Sequence, residues 1–180
     1  MPFTSKRKRQ SAIRDKLNLN TNLLKPEIKI IPFGIAHQPG INVMMQGIAL
    51  EFEEPIFTAQ SKKISEVFES ANHHFWVATH GTKVIGTVGM VTLSHENVVL
   101  KSMFVDKEVR GQGISDLLLN TAIHRATRDH YKNIYLGTMS QFIAGQKFYE
   151  KKGFRACDRS DLPPDFPINT LDTIFYRKPL

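Results

Sequence analysis

Two glycines and an arginine stand together in the stretch Arg110-Gly111-Gln112-Gly113-Ile114-Ser115, immediately before an apolar run. Glycines let backbone N–H groups converge without interference from a Cβ atom. The first turn of a helix adds unpaired N–H donors and the positive end of the helix dipole, and Arg110 adds a fixed positive charge. These groups predict an anion-binding turn suited to a pyrophosphate, with a plain tight turn as the structural alternative.

Two common phosphate-binding motifs do not fit this stretch. A P-loop ends in Gly-Lys-Ser/Thr, and no lysine follows Gly113. The dinucleotide fingerprint needs a third glycine at the position that Asp116 occupies. What remains is the position of the turn, between a valine-rich stretch that predicts a strand and a helix with an apolar stripe. The residues of that predicted stripe are Ile114, Leu117, Leu118, Ala122 and Ala126.

The elements that must position this turn are predicted from the period of the apolar residues. Strands are predicted at "EIKIIPF", "HFWVATH", "KVIGTVGMVTL", "NVVLKSMFV", "NIYLGT", "FRAC" and "DTIFYRK". Helices are predicted around Ile41, Met44, Met45 and Ile48, around Ile64, Val67, Phe68 and Ala71, after the glycine turn, and from about Ser140 to Gly153. This order predicts an α/β domain of the α+β type, with a mixed, mostly antiparallel central sheet flanked by helices and some parallel pairing in its middle.

Length and charge divide the chain in two. Its 180 residues carry a net charge of +7, and residues 1–26 hold seven of the 24 basic residues but one of the 17 acidic ones. We therefore expect a basic, flexible N-terminal extension over 1–26 and a single, nearly neutral domain over 27–180. The run from Lys6 to Arg9 is either a targeting or polyanion-binding signal or a solvated terminus, and nucleic acid is not an expected partner.

Other bulk features bear on location. No apolar run approaches the roughly 20 residues of a membrane-spanning helix, so no membrane association is expected. A single cysteine, Cys157, excludes an internal disulfide and fits a reducing compartment, which favours the cytoplasm. Cys157 is interpreted as a core thiol, and the histidines show no metal-ligand spacing, so no metal is expected.

The stretch "SMFVDKEVRGQGISDLLL" resembles the acetyl-coenzyme A motif of the GNAT superfamily of N-acetyltransferases. Downstream, "AGQKFYEKKGF" resembles the second motif of that family, through Ala144, Phe148, Tyr149, Gly153 and Phe154. The order of strands and helices is similar too, so the resemblance covers about 27–180. The chain departs from the family at Ser115, where glycine or alanine is usual, and at Gln141, where asparagine is usual.

The resemblance implies that acetyl-coenzyme A is the cosubstrate and lies in a wedge between two central strands. The strand backbone would pair with the pantetheine arm, and the glycine turn would bind the pyrophosphate. The residues that the resemblance assigns to the coenzyme are Met103, Phe104, Val105, Arg110, Gly111, Gln112, Gly113, Ile114, Ser115, Gln141, Ala144 and Phe148.

The resemblance also implies direct attack of a neutral amine on the thioester. Such a reaction needs a base for the amine, donors for the oxyanion and an acid for the thiolate. Tyr149 is the implied acid, with a packed aromatic as its structural alternative. Glu96 is the candidate base, acting through water, with a surface turn residue as its structural alternative. Loss of the amine proton to a water chain is the other alternative.

The expected function is N-acetylation of a primary amine of a small molecule. A protein or peptide N-acetyltransferase and a non-catalytic acyl-coenzyme A-binding regulatory module are the alternatives. By resemblance, residues 35–58 and 160–173 select the acceptor; Asp172 either faces the acceptor or begins the last strand. Many relatives dimerise, so a homodimer is left open.

Overall fold

The computed structural model describes residues 27–57, 64, 68 and 73–180, and these residues form one mixed sheet with helices on both faces. The strands are β1 (Ile28–Pro32), β2 (His74–His80), β3 (Lys83–Thr92), β4 (Asn97–Val105), β5 (Asn133–Thr138), β6 (Arg155–Cys157) and β7 (Ile174–Pro179). The helices are α1 (Gln38–Ala49), α2 (Ile114–Arg128) and α3 (Ile143–Lys151). The predicted strands are therefore confirmed, and the fold is the mostly antiparallel α+β sheet that the sequence predicts.

The sheet has the order β1-β2-β3-β4-β5-β7-β6. Among the described strands, β4 and β5 form the only parallel pair, because α2 carries the chain back across the sheet between them. The last strand, β7, lies antiparallel between β5 and β6. The parallel pairing in the middle of the sheet is thus where the helix crossover requires it.

The two faces of the sheet carry separate apolar clusters. On one face, Leu100 of β4 and Leu136 of β5 pack with Ile114 and Leu118 of α2. On the other face, Ile41, Met44 and Ile48 of α1 pack against Phe75, Val77 and Val84. Alternating residues of a strand face opposite sides of a sheet, which is why β4 and β5 are apolar at nearly every position. The rigid sheet between these layers fixes the ends of β4 and β5.

The apolar stripe of α2 differs from the prediction at one position. Leu118 is fully buried, whereas Leu117 is 47% exposed and Leu119 is buried in its place. Residues four apart advance by about 40° around a helix, so the buried row from Ile114 to Ala126 drifts toward the side of Leu119. Leu117 lies about 135° from the middle of that row, which explains why its predicted place in the core is wrong.

Helix α3 differs from its prediction at its start and agrees with it at its end. The helix expected from about Ser140 begins at Ile143, and it ends as predicted at Gly153, whose φ is +81°. The N–H groups of Gly153 and Phe154 donate to the carbonyls of Glu150 and Tyr149, which is a Schellman motif.

The extension predicted over 1–26 lies outside the described residues, as do Val67 and Ala71 of the predicted second helix. Of that helix, Phe68 donates its N–H to the carbonyl of Ile64 at 3.0 Å and packs edge-on against Phe75. Across the described ranges, no helix combines the length and apolar character needed to cross a bilayer.

Candidate active site

The two central parallel strands separate in the middle of the sheet. Their pairing runs from Asn97 opposite Asn133 to Leu100 opposite Leu136 and then stops. Beyond that point β4 continues to Val105 against β3, and β5 continues to Thr138 against β7. The edge of β4 that faces β5 is therefore without a strand partner from residue 101 onward within the described part of the chain. A wedge that opens between two central strands can accept an extended ligand by strand addition.

A bulge in β4 helps to open this wedge. The pairing of β3 with β4 shifts register between Thr87 and Gly89, and Ser102 on the opposite strand has a φ of +51°. The Thr87 hydroxyl donates to the carbonyl of Ser102 at 2.7 Å, which holds the irregular backbone in place. Bulges bend a strand and increase its twist. The bend lies just before the three residues predicted to pair with the pantetheine arm.

Those three residues line the wedge from different sides. Met103 packs against the cluster under α2, and Phe104 packs edge-on against Phe142 at 6.1 Å between ring centres on the other face. Val105 is buried, and its carbonyl accepts a hydrogen bond from Arg110 Nε at 3.0 Å. The structure therefore places all three beyond the last β4–β5 pair, with one carbonyl already occupied.

The glycine turn follows directly on the end of β4. Gly111 and Gly113 have φ of +76° and +83°, and Gly113 caps the start of α2. Most residues other than glycine avoid this region, so the turn needs glycine for its backbone shape. A Cβ placed on either glycine meets no atom within 4 Å, so the space above the turn is open.

The N–H groups of the turn are available as donors. Those of Gly111, Gly113, Ile114 and Ser115 have no acceptor among the described residues. Gln112 instead donates its N–H to the carbonyl of Val109 and its side-chain amide to that of Glu108. Unpaired N–H groups at the start of a 15-residue helix are the arrangement that anions favour.

The side chain of Arg110 does not stand free beside these amides. Its guanidinium forms a bidentate pair with Glu51, which follows the end of α1, with nitrogen–oxygen distances of 2.6 and 2.9 Å. Its Nε also donates to Val105, as described above. Arg110 therefore joins α1, β4 and the glycine turn, a structural function that the sequence pattern did not indicate.

Tyr149 lies on α3 beneath the wedge. Its ring packs edge-on against Phe148 and Phe154 and near Tyr176, and the residue is buried. Its hydroxyl has no hydrogen-bond partner among the described residues. Burial, with a smaller contribution from the charge of Asp172, raises the pKa of Tyr149 well above its usual range. The phenol is therefore protonated at neutral pH, as an acid must be.

The remaining residues assigned to the coenzyme lie at the start of α3 and along it. Ala144 is exposed and Phe148 is half-buried, and helical spacing places them on the same side of α3. Lys152 continues that row over the Phe148 ring and pairs with Asp116 in the first turn of α2. Gln141 donates its side-chain amide to the carbonyl of Glu54 at 3.2 Å, so in this structure its amide ties the β5–α3 loop to the segment after α1.

Glu96 lies away from these residues. It occupies the turn between β3 and β4, is 61% exposed and faces Lys132 at 4.0 Å. The wedge opens at residue 101, five positions further along the strand, which corresponds to about 16 Å. The structure therefore does not bring Glu96 together with Tyr149, and its predicted basic role depends on a long path through water.

A pair of buried charges at the wedge was not assigned from the sequence. Lys101 is the first residue of β4 beyond the last pair, and its Nζ lies 3.9 Å from Asp172 Oδ2. Lys101 is a charged residue inside an apolar strand, which is the sequence signal that could have singled it out. For Asp172 the sequence left two alternatives, facing the acceptor or beginning the last strand. No group of three His, Cys, Asp or Glu side chains within the described ranges could hold a metal ion.

Known proteins resemble this chain in sequence and in fold. A family model described as "Acetyltransferase (GNAT) domain" matches residues 45–162. An N-acetylaspartate synthetase of Xenopus tropicalis is 42% identical over 106 residues, which are 57% of this chain and 39% of that protein. The chain spans about two-fifths of the length of such curated relatives.

Solved structures share the whole described fold. A GNAT-family acetyltransferase from Staphylococcus aureus Mu50 is 30% identical, with a TM-score of 0.79, over 86% of this chain and 99% of that one. The PaiA N-acetyltransferase of Thermoplasma acidophilum, solved in complex with coenzyme A, is 17% identical with a TM-score of 0.67, over 86% and 99% of the two chains. The latter likeness is one of fold alone.

Proposed function

The chain belongs to the GNAT acetyltransferase family, and from that premise we propose that it transfers the acetyl group of acetyl-coenzyme A to a primary amine of a small molecule. The observation that carries this proposal is the junction of two features at the end of β4. There the open wedge meets a glycine turn in which all N–H groups from Gly111 to Ser115 except that of Gln112 have no acceptor among the described residues. An extended arm with a pyrophosphate at one end fits such a junction.

The proposed binding of the coenzyme uses the residues predicted for it. The N–H groups from Gly111 to Ser115 bind the pyrophosphate, and the backbone of 103–105 pairs with the pantetheine arm. Phe148 and Ala144 provide the apolar side of α3. Arg110 acts by holding the turn against Glu51 and by its charge, and Gln141 acts through the loop that it fixes.

The proposed reaction is direct attack in a ternary complex. The amine nitrogen forms a bond to the thioester carbonyl carbon, and the carbon–sulfur bond then breaks. Tyr149 gives its proton to the departing thiolate, as its buried and protonated phenol allows. Glu96 stays the base predicted from the sequence, acting through water.

The proposed acceptor is a small amine, and an amino acid in particular. This choice is supported by the name of the N-acetylaspartate synthetase, which is 42% identical to the chain over 106 residues. A protein substrate would be the alternative within the same chemistry. The cytoplasmic location and the homodimer stay predictions.

The experiment is a measurement of coenzyme A release from acetyl-coenzyme A with the full chain. Amino acids, aliphatic diamines and short peptides with a free N-terminus are supplied in separate reactions, and products are identified by mass spectrometry. Turnover with a small amine but not with peptides supports the proposal. Turnover with peptides alone supports a protein acetyltransferase. Binding of acetyl-coenzyme A without turnover of any amine would leave a regulatory module.

A further inference from the structure

The carboxylate of Asp172 lies at the apex of the wedge, between the first unpaired residues of its two strands. On the β4 side its Oδ2 is 3.9 Å from Lys101 Nζ. On the β5 side it lies against Gly137, where a Cβ would come within 2.5 Å of the same oxygen. Leu100 and Leu136, the last paired residues, immediately precede Lys101 and Gly137. The absence of a side chain at Gly137 is therefore what allows the carboxylate to lie there.

The backbone around Asp172 is anchored on both sides. Asp172 donates its N–H to the carbonyl of Asn169 at 3.0 Å, and Thr173 donates its N–H to the carbonyl of Thr138 at 2.9 Å. The Thr173 hydroxyl also accepts a hydrogen bond from the N–H of Ser140. These contacts tie the loop before β7 to the end of β5, so the carboxylate has a fixed place at the apex.

The surroundings of Asp172 are poor in compensating polar groups. Its side chain is 8% exposed, and Lys101 and Tyr149 are the described titratable groups whose charges couple to it. Lys101 is itself held in place, because its Nζ donates to the carbonyl of Pro167 at 2.8 Å and lies over the ring of Phe166. Burial raises the pKa of Asp172, and the nearby Lys101 charge opposes that shift.

We propose that Asp172 is the base that accepts the proton of the acceptor amine, and that Lys101 is a positioning residue that keeps this carboxylate ionised at the apex. This proposal rests on the proposed function, because it assigns to Asp172 the basic role in that acetyl transfer that the sequence predicted for Glu96. It places the base on the face of the sheet opposite α2. The charge of Asp172 also contributes to the raised pKa of Tyr149, the proposed acid.

Two protons leave the acceptor nitrogen during each acetyl transfer. The acceptor arrives as an ammonium ion and gives one proton to the Asp172 carboxylate, and the neutral nitrogen then attacks the carbonyl carbon. The carbon–sulfur bond breaks, and Tyr149 protonates the thiolate. The second proton of the attacking nitrogen returns to the Tyr149 phenolate, and Asp172 releases its proton to water. One proton per acetyl transfer is therefore released to the solvent.

The buried setting of Asp172 suits a base better than the exposed setting of Glu96 does. A carboxyl of ordinary acidity is a weak base toward an ammonium ion, and burial makes the ionised form more basic. The nearby charge of Lys101 opposes the shift caused by burial and favours the ionised form. Glu96 is 61% exposed and lies at the far end of β4, about 16 Å along the strand from the wedge.

The test compares two carboxylates in the full chain. Asp172→Asn keeps the shape of the side chain and removes its basicity. Glu27→Gln is the matched control at an exposed position outside the site, and Glu96→Gln tests the base predicted from the sequence. With the best small amine acceptor, we expect Asp172→Asn to lower kcat by about 10²-fold or more. The dissociation constant for coenzyme A should stay within about twofold, and Glu27→Gln should keep wild-type turnover. Retention of more than a third of kcat in Asp172→Asn would overturn the proposal, as would a loss in Glu96→Gln alone.

A second variant tests the base without removing it. Lys101→Met removes the positive charge beside Asp172, which raises the pKa of the carboxyl and therefore moves the acidic limb of kcat/KM to higher pH. The same acceptor is used throughout, so that its own titration is common to all proteins. An unchanged acidic limb in a folded Lys101→Met protein would contradict the proposal even if Asp172→Asn failed to fold.

Failure of the proposed function has a different signature. It is a wild-type protein that binds acetyl-coenzyme A and acetylates no amine, and this is measured before any variant. Failure of the Asp172 proposal is an active wild type whose Asp172 and Lys101 variants keep its turnover and its pH profile.

Discussion

The carboxylate of Glu51 and the guanidinium of Arg110 meet face to face, with two parallel hydrogen bonds, at the mouth of the glycine turn. The pair connects the end of α1 to the loop that leads into α2. Bidentate pairs of this kind fix geometry as well as contributing energy. The turn is therefore braced from the opposite face of the sheet.

This brace can be separated from the charge that Arg110 provides. Because the pair is partly exposed, Glu51→Gln should lower stability by about 1 kcal/mol at most. It should not weaken coenzyme A binding, since a negative charge is removed from beside the phosphate site. Arg110→Met should weaken binding about tenfold, through loss of the cation. Calorimetric titration with coenzyme A and thermal melting measure both effects; equal binding losses in the two variants would show that the brace dominates.

Gly113 should be required for binding rather than for folding. Its φ of +83° disfavours a branched side chain by about 1–2 kcal/mol, so Gly113→Val should keep a cooperative melting transition. The displaced N–H groups should no longer converge, and coenzyme A binding should be lost. Gly47→Ala is the control, since Gly47 lies within α1 with open space around it. Retained coenzyme affinity in Gly113→Val would refute the anion-binding turn.

Tyr149→Phe should separate chemistry from binding. Loss of the proton donor should lower kcat by about 10²-fold, while coenzyme A affinity stays within about twofold because the ring remains. Tyr176→Phe is a matched control from the same aromatic cluster, whose hydroxyl donates to Glu150 instead. If the two variants lose turnover equally, the Tyr149 hydroxyl is not the acid.

Adjacent leucines of α2 should differ widely in their effect on stability. Leu118 is fully buried beneath Gly86, so Leu118→Ala should lower the free energy of unfolding by about 2–5 kcal/mol. Leu117 is largely exposed, so Leu117→Ala should change it by no more than about 0.5 kcal/mol. Urea denaturation measures both. Similar losses would mean that the stripe follows the sequence prediction after all.

The loop before β7 should contribute a pH-dependent stability. Ser94 donates its N–H to Asp165 at 2.6 Å, and this hydrogen bond lowers the pKa of that carboxyl below its ordinary value of 3.8. A lowered folded-state pKa means that the stabilisation is present above about pH 4 and is lost as the pH falls through the folded value. Asp165→Asn should therefore melt below the wild type at pH 7, and the difference should shrink below pH 4. A constant difference across this range would exclude the link.

The sequence predicted most of the fold because its signals are local. Runs of β-branched and aromatic residues bounded by turn residues mark most of the strands, and Gly153 ends α3 as its position indicates. Leu117 was misplaced because three consecutive leucines obscure which row of the helix faces the sheet. The position of β7 between β5 and β6 depends on pairing between distant segments, which no local pattern carries.

The residues of the candidate site are of two kinds: some lie in contiguous motifs, and others are brought together only by the fold. The glycine turn and Tyr149 lie in contiguous motifs, so residue types and spacing were enough to single them out. Lys101 and Asp172 meet only because β7 returns beside β5 and brings the end of the preceding loop over Gly137. Glu96 is close in sequence to the wedge strand, yet an extended chain carries it to the far end.

The loop that carries Asp172 is bounded by two strands that pair with each other. Its ends, β6 and β7, pair directly with each other, from Arg155 opposite Arg177 to Cys157 opposite Phe175. Strand pairing therefore does not set the length of the 16 residues between Cys157 and Ile174, although Phe166 among them is buried against Val99 and Tyr135 of the sheet. We therefore expect that residues 158–171 can be exchanged while the glycine turn and its donor groups stay intact, whereas loss of Asp172 would remove the proposed base.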